Sequence, residues 1–315
     1  MELKRTLPAT ISLKDARNQL RKLLLNAVKK RIKIKKSGIL FSGGLDSSVL
    51  AKISQGFERD IVLYCTGFSN SKDLINARDA AAILNLPLRI IQLELDVVEA
   101  ALPQILTAFV EPTPMDLAIA IPLYFAAQLA KNEGKVVVLC GQGADESLGG
   151  YKRYEDILEK EGYIGLYSCL QNDVLDLFGS LKREFAIATV NRIEFGFPYL
   201  DRDVLQFLLP LPAEYKILRE DSTFIRKHIL RLVAKDLGLP PQIYDRPKLA
   251  AQFGSGTQKA LDTLARKNGF TRLLSRKFRY QSRIQMYVDF LGYNIGIPIP
   301  EQRKISLLQF LKNRR

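Results

Sequence analysis

The fold is decided by the stretch GILFSGGLDSS at residues 38–48. Its first four residues form a short apolar run, which is typical of a buried parallel strand. Two glycines and three serines follow, and an apolar spacing typical of a helix restarts at Val49, Leu50 and Ile53. A strand, a glycine-rich turn and a helix in this order form an anion-binding corner, because N–H groups at a helix start are unpaired and the helix dipole favours negative charge. The stretch therefore predicts a phosphate-binding loop.

The residue types of this loop suit a polyphosphate ligand. Gly43 and Gly44 allow positive φ and let the backbone approach a phosphate closely. The serine hydroxyls add donors, and Asp46 is placed to hold Mg²⁺ against the phosphates. The loop lacks the G-K-[S/T] end of a Walker loop, so no lysine reaches a γ-phosphate from here. The loop residues predicted to bind the nucleotide are Ser42, Gly43, Gly44, Leu45, Asp46, Ser47 and Ser48.

Strands and helices alternate on both sides of this loop. The apolar patterns predict strands at about 38–41, 60–65, 88–93 and 135–140, and helices at about 13–33, 72–85, 96–109 and 115–131. This alternation implies a parallel sheet that is covered by helices on both faces. After Gly150 the periodicity is helical and is broken by prolines, and no strand is predicted up to about residue 290.

The predicted fold class is therefore α/β, a doubly wound parallel sheet with a helical C-terminal lobe. We divide the chain into an N-terminal basic helix at 1–36, a nucleotide-binding α/β core at 37–150 and a helical substrate lobe at 151–315. The second boundary is set where the alternation of strands and helices gives way to helical periodicity alone.

A second polar loop, GQGADE at residues 141–146, directly follows the fourth predicted strand. Taken alone, it would also suit a glycine-rich turn with capping acids. Parallel strands point the same way, however, so Asp145 and Asp46 are expected to converge on one cleft at the carboxyl edge of the sheet. A pair of acids beside a polyphosphate is best explained by a shared cation. The sequence thus predicts a Mg²⁺ site formed by Asp46 and Asp145.

The 315-residue chain has a net charge of +14, which favours binding to a negatively charged partner. The densest basic stretch is residues 29–36, and the tail at 312–315 is a second. We interpret both as solvated surface. Nucleic acid stays open as a partner but is not favoured, since no aromatic interleaving or binding motif accompanies the basic residues. No apolar run approaches the roughly 18 residues of a membrane span, so no membrane partner is expected.

The cysteines and the histidine limit which metal sites and disulfide bonds the chain is expected to form. Cys65, Cys140 and Cys169 lie far apart, which argues against a disulfide framework and against a metal site built from cysteine. A single histidine, His228, excludes a multi-histidine metal site, and we interpret it as an ordinary core or surface residue. Unpaired thiols and a start without an apolar signal core predict a cytoplasmic protein.

With both loops identified, the sequence resembles the synthetase domain of asparagine synthetases, members of the PP-loop ATP pyrophosphatases. The SGGLDS loop at 42–47 is shared across that superfamily, whereas G-x-G-A-D-E…G-G-Y at 141–151 is more specific to the asparagine synthetase branch. EFGFPYLD at 194–201 is similar to the family's E-x-R-x-P-F-L-D, and DRPK at 245–248 precedes QFGSG at 252–256. The resemblance covers nearly the whole chain and implies a PP-loop type of sheet.

The resemblance implies an ATP-dependent ligase that adenylates a carboxylate, aspartate by default, and amidates it with ammonia, releasing AMP and pyrophosphate. It implies ATP and Mg²⁺ as cofactors, with the ion on Asp46 and Asp145, and with Lys248 stabilising charge at the α-phosphate. Catalytic roles are expected for Asp46, Asp145, Glu146, Gln142 and Lys248. Beyond the first loop, the nucleotide is expected to contact Leu40, Thr66, Gly141 and Gly143.

One departure from the family concerns the source of ammonia. Members usually carry an N-terminal glutaminase domain whose nucleophile is a cysteine directly after the initiator methionine. Here residue 2 is Glu2, and no cysteine precedes Cys65. We therefore expect no glutamine hydrolysis within this chain, and ammonia that arrives free or from a separate glutaminase subunit.

A second departure concerns the amination step. Gln142 stands where the family typically has the glutamate that handles incoming ammonia. An amide can orient a nucleophile, but it cannot accept a proton or carry charge. The adenylation half-reaction is thus better supported than the amination half-reaction. Either the proton leaves by another route, for example through Glu146, or the acceptor is not aspartate.

Two other functions stay open. A PP-loop enzyme that adenylates a tRNA base would suit the net charge of +14, although no C-x-x-C pair is present for the cysteine-dependent thiolation branch. Such an enzyme would lose tRNA affinity steeply as salt rises. A non-catalytic ATP-binding subunit is the other alternative, and the presence of both Asp46 and Asp145 argues against it.

Overall fold

The computed structural model describes residues 9–33, 36–57, 60–221, 223–246 and 251–314, and a five-stranded parallel sheet lies at its centre. The strands are β1 (Ser37–Leu40), β2 (Val62–Phe68), β3 (Leu88–Leu93), β4 (Val137–Leu139) and β5 (Glu194–Gly196). Their order across the sheet is β3-β2-β1-β4-β5. The predicted α/β class with a parallel sheet is confirmed.

Most of the remaining described chain is helical. The helices are α1 (Leu13–Lys29), α2 (Leu45–Ser54), α3 (Lys72–Leu84), α4 (Leu95–Leu106), α5 (Pro114–Asn132), α6 (Ala144–Leu148), α7 (Arg153–Ser180), α8 (Lys182–Asn191), α9 (Arg202–Leu208), α10 (Ala213–Lys216), α11 (His228–Asp236), α12 (Pro241–Tyr244), α13 (Ala251–Gly254), α14 (Thr257–Lys267), α15 (Arg272–Lys277), α16 (Arg283–Asn294) and α17 (Glu301–Arg314). A short 3₁₀ turn spans Pro198–Leu200.

Helices cover both faces of the sheet, as the continuous apolar character of the strands requires. One face packs Leu63 and Leu139 against α1, α2, α3 and α11. The opposite face packs Tyr64 and Val138 in a second buried cluster with α4, α5, α8, α14 and α16. The sheet is therefore sandwiched between two apolar layers, and its carboxyl edge is left for the loops.

That edge contains a point where the direction of winding reverses. β1 lies between β2 and β4, with Ile39 paired to Leu63 on one side and to Leu139 on the other. From β1 the chain continues through α2 to β2 on one side, and from β4 it continues through α6, α7 and α8 to β5 on the other, so a crevice lies between the ends of β1 and β4. In doubly wound sheets, ligands bind at such a crevice.

The prediction of no strand after Gly150 is wrong. β5 extends the sheet by pairing Phe195 with Val138, and an antiparallel hairpin is formed by β6 (Ile217–Glu220) and β7 (Thr223–Arg226). Strands of three or four residues are too short to show a two-residue period in a sequence. The hydrogen bonds of β5 also come from a strand that is distant along the chain. The division into basic helix, core and lobe stays a prediction.

The basic stretch after α1 is largely tied to acids of the same chain. α1 ends at Lys29, earlier than predicted, and the chain then turns. The Lys30 and Arg31 side chains lie 3.2 and 2.8 Å from Asp201, and Lys33 lies 3.2 Å from Glu194. These cations thus hold α1 against the segment around the 3₁₀ turn. Among the helices of the described chain, none combines the length and apolarity that crossing a membrane requires.

Candidate active site

The loop after β1 leads into α2 with its backbone aimed at the crevice. Gly44 precedes the helix in extended conformation, and no side chain caps the helix start. Gly43 has φ of +68°, and a Cβ there would collide with the backbone of Asn76, so only glycine fits. Arg246 donates to the carbonyl oxygens of Gly43 at 2.8 Å and Asn76 at 3.2 Å. The loop is therefore fixed, and the uncapped first turn of α2 leaves backbone amides that an anion could accept from.

The loop after β4 lies directly against the first loop. Gly141 packs so closely that a Cβ there would lie 3.1 Å from the Cβ of Asp46. Gly143 has φ of +90° and starts α6, which carries Asp145 in its first turn. Two glycines thus allow the second loop to turn and to approach the first. The two predicted acids are brought to the same crevice.

A lysine lies between these two acids. The Lys227 Nζ is 2.6 Å from Asp46 Oδ2, 2.7 Å from Asp46 Oδ1 and 2.6 Å from Asp145 Oδ1. Its side chain is 4% exposed, and each aspartate side chain is 16% exposed. Asp46 and Asp145 therefore converge on one buried cation, which is an ammonium in this structure.

Two opposing effects act on the pKa of Lys227, which are burial and the charges of two aspartates. Burial alone would lower the pKa of its ammonium, but Asp145 and Asp46 outweigh that effect and raise the pKa above its ordinary value. The residue also adopts φ of +54° immediately before α11, a left-handed conformation that is strained for a side chain with a Cβ. Backbone strain at a buried charge cluster is a frequent mark of a functional site.

The crevice continues into a cleft of about 300 Å³, which is large enough for a small ligand. Part of its lining is apolar and consists of Leu40, Ile119, Pro122, Leu123 and Ala126. The lining also includes four cations, Arg226, Lys227, Arg231 and Arg246, together with the two aspartates. This mixed lining suits a ligand that carries both a flat apolar group and several negative charges.

Most of the residues predicted from the sequence line this cleft. They are Leu40, Ser42, Gly44, Leu45, Asp46, Ser47, Thr66, Gly141, Gln142 and Asp145. The hydroxyl of Thr66 donates to the Pro122 carbonyl at 2.8 Å. The Thr66 side chain is thus engaged with α5.

Four predicted residues lie behind the cleft rather than on it. Ser48 is fully buried in α2, and Gly43 faces Asn76 and Arg246. Gly143 packs against Leu200. Glu146 is buried and accepts a 2.6 Å hydrogen bond from the hydroxyl of Tyr151, which does line the cleft. These residues shape the site through backbone and packing. Lys248 lies outside the described residues.

Four cations that line the cleft, Arg226, Lys227, Arg231 and Arg246, were not predicted from the sequence. Arg226 donates to the Gly150 carbonyl at 2.9 Å and pairs with Glu155 at 2.9 Å, which holds β7 against the start of α7. For Lys227 one local signal exists. A lysine immediately before a helix opposes the helix dipole, so its presence there requires compensating acids. Nothing nearby in the sequence provides them, because Asp46 and Asp145 come from distant loops.

The side chains of the cleft also indicate whether a metal ion could bind there. Within the described ranges, no group of three or more His, Cys, Asp or Glu side chains could form a metal site. Two carboxylates that already share one cation nevertheless suit Mg²⁺, which is usually held by one or two carboxylates together with phosphate oxygens and water. The arrangement thus fits an ion that arrives with a phosphorylated ligand.

Comparison with protein families and relatives gives a consistent result. The Asparagine synthase family model matches residues 19–184 and 177–289. A putative asparagine synthetase (glutamine-hydrolyzing) 1 of Methanocaldococcus jannaschii is 35% identical over 90% of this chain. The asparagine synthetase (glutamine-hydrolyzing) of Gallus gallus is 28% identical over 80% of it. The chain spans about half the length of these relatives, 56% and 46% respectively.

Solved structures give a weaker likeness. An NMN synthetase from Francisella tularensis superposes with a TM-score of 0.39 at 15% identity, covering 97% of this chain and 94% of that one. An NH3-dependent NAD synthetase from Campylobacter jejuni gives a TM-score of 0.35 at 14% identity, covering 92% and 99%. Global likeness at this level is too low to assign a function.

Proposed function

Because the chain belongs to the asparagine synthase family, we propose that it binds ATP and adenylates a substrate carboxylate, which ammonia then converts to an amide. Aspartate is the default acceptor, and AMP and pyrophosphate are the other products. The observation that carries the proposal is the convergence of Asp46 and Asp145 on one cation beside the uncapped start of α2. Acids, a buried cation and free backbone amides at one crevice form a site suited to a nucleoside triphosphate.

The shape of the cleft supports one orientation of ATP. The adenine would lie against the apolar part of the lining, between Leu40 and the face of α5 that carries Pro122 and Ala126. Backbone groups at Leu40, Thr66 and Gly141 would border the base and the ribose. The phosphates would then extend over the loop at 42–47 toward the start of α2. This orientation places negative charge where the helix dipole and the cations favour it.

The cations would share the triphosphate. Lys227, Arg226, Arg231 and Arg246 line the cleft, and Lys248 stays a proposed fifth cation. Asp46 and Asp145 would hold Mg²⁺, which would neutralise phosphate charge when bound. Lys227 would then exchange its contacts with the carboxylates for contacts with phosphate oxygens, since one buried position cannot hold both cations in contact with both acids.

The chemistry needs orientation and charge stabilisation more than it needs acid or base. An oxygen of the substrate carboxylate attacks the α-phosphorus, the bond to the β-phosphate oxygen breaks, and pyrophosphate leaves with that electron pair. Cations fixed around the leaving pyrophosphate stabilise this charge in a cleft with little water. Holding carboxylate and ATP side by side supplies much of the remaining rate.

An exchange assay tests this proposal. Labelled pyrophosphate is incubated with the chain, ATP, Mg²⁺ and each of a panel of amino acids, and its incorporation into ATP is counted. We expect exchange that depends on aspartate. Exchange with another carboxylate would keep the reaction and change the acceptor, whereas nucleotide binding without any exchange would overturn the proposal in favour of a non-catalytic subunit.

Matched variants locate the exchange in this cleft. Asp46→Asn should abolish exchange, because it removes one of the two acids. Asp176→Asn removes an exposed acid of α7 outside the cleft and should leave exchange unchanged. Equal loss in both variants would mean that exchange does not arise from this site.

We also propose that the reaction takes place in the cytoplasm with ammonia supplied free or by a separate glutaminase subunit. Cys65, Cys140 and Cys169 are all free thiols, which suits a reducing compartment. Co-purification of a glutaminase with the chain would support a separate subunit as the source of ammonia. Amide formation that saturates with added ammonia, while no glutaminase co-purifies, would support free ammonia.

A further inference from the structure

A further acid lines the same cleft and is buried more deeply than Asp46 and Asp145. Glu184 lies in the first turn of α8 and is 1% exposed. It borders the cleft together with Gln142, Cys140 and its own neighbour Arg183. None of the adenylation chemistry above uses it.

The hydrogen bonds of Glu184 leave one oxygen without a donor. Arg183 donates to Oε1 from both Nε at 3.1 Å and Nη2 at 2.6 Å. Oε2 is buried and accepts no hydrogen bond from the described part of the chain. A buried carboxylate oxygen without a hydrogen-bond donor lowers the stability of the fold, because its desolvation is not compensated. Such groups are usually explained by a bound ligand or by a role in a reaction. An N–H donor bound in the cleft would satisfy it.

A purely structural role explains this arrangement poorly. Acids in the first turn of a helix are common because they complement the dipole, but they normally face water. Glu184 instead points inward, and its guanidinium partner is shared. Arg183 also lies 3.4 Å from Asp116 of α5. Arg183 therefore balances two carboxylates, of which Glu184 lines the cleft.

Cys140 connects this acid to position 142. The pKa of the Cys140 thiol is raised to about 12, chiefly by burial. The backbone of Gln142 hydrogen-bonds to this thiol, and the charges of Glu184 and Arg183 both act on it. Gln142 and Glu184 therefore both lie near one buried thiol at the end of β4, and both line the cleft.

We propose that Glu184 is a catalytic residue that binds the nitrogen nucleophile as ammonium and takes its proton. This inference rests on the proposed function, and it supplies the proton acceptor that the amide of Gln142 cannot be. Arg183 is a positioning residue, since it fixes Oε1 and leaves Oε2 for the ammonium. The Gln142 amide then orients the nucleophile beside it.

The step balances without another reactant. One proton of the ammonium passes to Oε2 of Glu184, and the neutral ammonia uses its lone pair to form a C–N bond with the acyl carbon of the adenylate. The C–O bond to AMP breaks with its electron pair on the phosphate oxygen. The remaining excess proton on nitrogen and the proton on Glu184 are lost to solvent.

Separating the two half-reactions tests the role of Glu184. In Glu184→Gln we expect pyrophosphate exchange within about threefold of the unmodified chain and ammonia-dependent amide formation at least about 100-fold lower, the usual effect of losing a general base. Hydroxylamine is mostly neutral at pH 7, unlike ammonia, and needs no base before attack. Hydroxamate formation should therefore persist in Glu184→Gln. Glu159→Gln, an exposed acid of α7, is the matched control and should change neither reaction.

A transplanted carboxylate provides the second test. In the double variant Gln142→Glu with Glu184→Gln, the carboxylate moves from position 184 to position 142 of the same cleft, and we expect ammonia-dependent amide formation to recover at least about tenfold over Glu184→Gln. Equal loss of the ammonia and hydroxylamine reactions in Glu184→Gln, or full ammonia activity in it, would overturn the inference. Absence of exchange in the unmodified chain would instead contradict the proposed function.

Discussion

The Nζ of Lys227 lies 2.6 Å from Oδ2 of Asp46, although 181 positions separate the two residues in the sequence. This contact ties the loop after β1 to the start of α11 in the second half of the chain. With Asp145 on its other side, the ammonium holds three segments of the chain around one charge. The cleft is therefore completed by tertiary structure, and we expect both its stability and its proposed chemistry to depend on this buried lysine.

Replacing Lys227 by methionine should lower both the stability of the fold and the pyrophosphate exchange activity. In Lys227→Met, two buried carboxylates lose their shared counter-ion, and we expect the free energy of unfolding without Mg²⁺ to fall by about 3–5 kcal/mol. Urea titration monitored by circular dichroism measures this. Mg²⁺ should restore part of the loss by binding the freed acids, and exchange activity should fall sharply. Lys235→Met, an exposed lysine of the same helix, should change neither quantity. A fully stable and active Lys227→Met would contradict the assigned role.

Gly150 leaves the space that the lysine occupies. A Cβ at this position would collide with Oδ1 of Asp145 and Cε of Lys227. Gly150→Ala should therefore displace the ammonium from Asp145 and lower pyrophosphate exchange by at least about tenfold, which corresponds to about 1.4 kcal/mol of transition-state binding. Gly179→Ala, where a Cβ would meet nothing within 4 Å, is the control and should be neutral. Normal exchange in Gly150→Ala would mean that the ammonium need not lie between the acids.

Arg246 holds the loop that is proposed to bind the phosphates. Arg246→Met removes its donors to the Gly43 and Asn76 carbonyls. Each lost hydrogen bond is worth about 1 kcal/mol, so the loop should become less ordered and the KM for ATP should rise about tenfold or more. Initial-rate kinetics of exchange measures the change. Arg202→Met, an exposed arginine at the start of α9, should leave KM unaltered.

A second buried lysine makes a prediction about pH. Lys216 is 2% exposed, and burial lowers its pKa from 10.5 to about 7. The unfolded chain therefore binds more protons than the folded one between pH 7 and 10.5, and this residue makes stability rise with pH across that window. Lys216→Met should raise the free energy of unfolding by about 2–4 kcal/mol at pH 7, and the gain should shrink toward pH 10.5. Urea titrations at pH 7 and pH 10, with the exposed Lys160→Met as control, test this. A gain that is equal at both pH values would contradict the depressed pKa.

Much of the fold could be predicted from the sequence because its signals are local. The third strand was predicted at residues 88–93, and β3 spans Leu88–Leu93. The alternation of apolar strands and helices was enough to indicate a parallel sheet with a crevice at the ends of β1 and β4. β5 could not be found in the same way. Three residues carry no periodicity, and only the exposed edge of β4 determines that they form a strand.

The acids of the candidate site could be predicted because they lie in loops that follow strands. Its cations could not be predicted in this way. Asp46 and Asp145 each directly follow a predicted strand, so topology alone predicts that they meet. Lys227 and Glu184 have no such relation to the sheet. Lys227 lies in a strained turn before α11, and Glu184 lies in a helix whose burial depends on packing against α5. Both became visible only as unusual buried charges.

Asp46 and Asp145 are proposed to act as one cation site for the nucleotide. A double-mutant cycle on Mg²⁺-dependent ATP binding shows whether they do, with Kd measured by isothermal titration for the unmodified chain, Asp46→Asn, Asp145→Asn and the double variant. We expect that each single change weakens binding, that the double variant is little weaker than either, and that the coupling energy exceeds about 1 kcal/mol. Additive losses, or ATP binding that is indifferent to either aspartate, would contradict it.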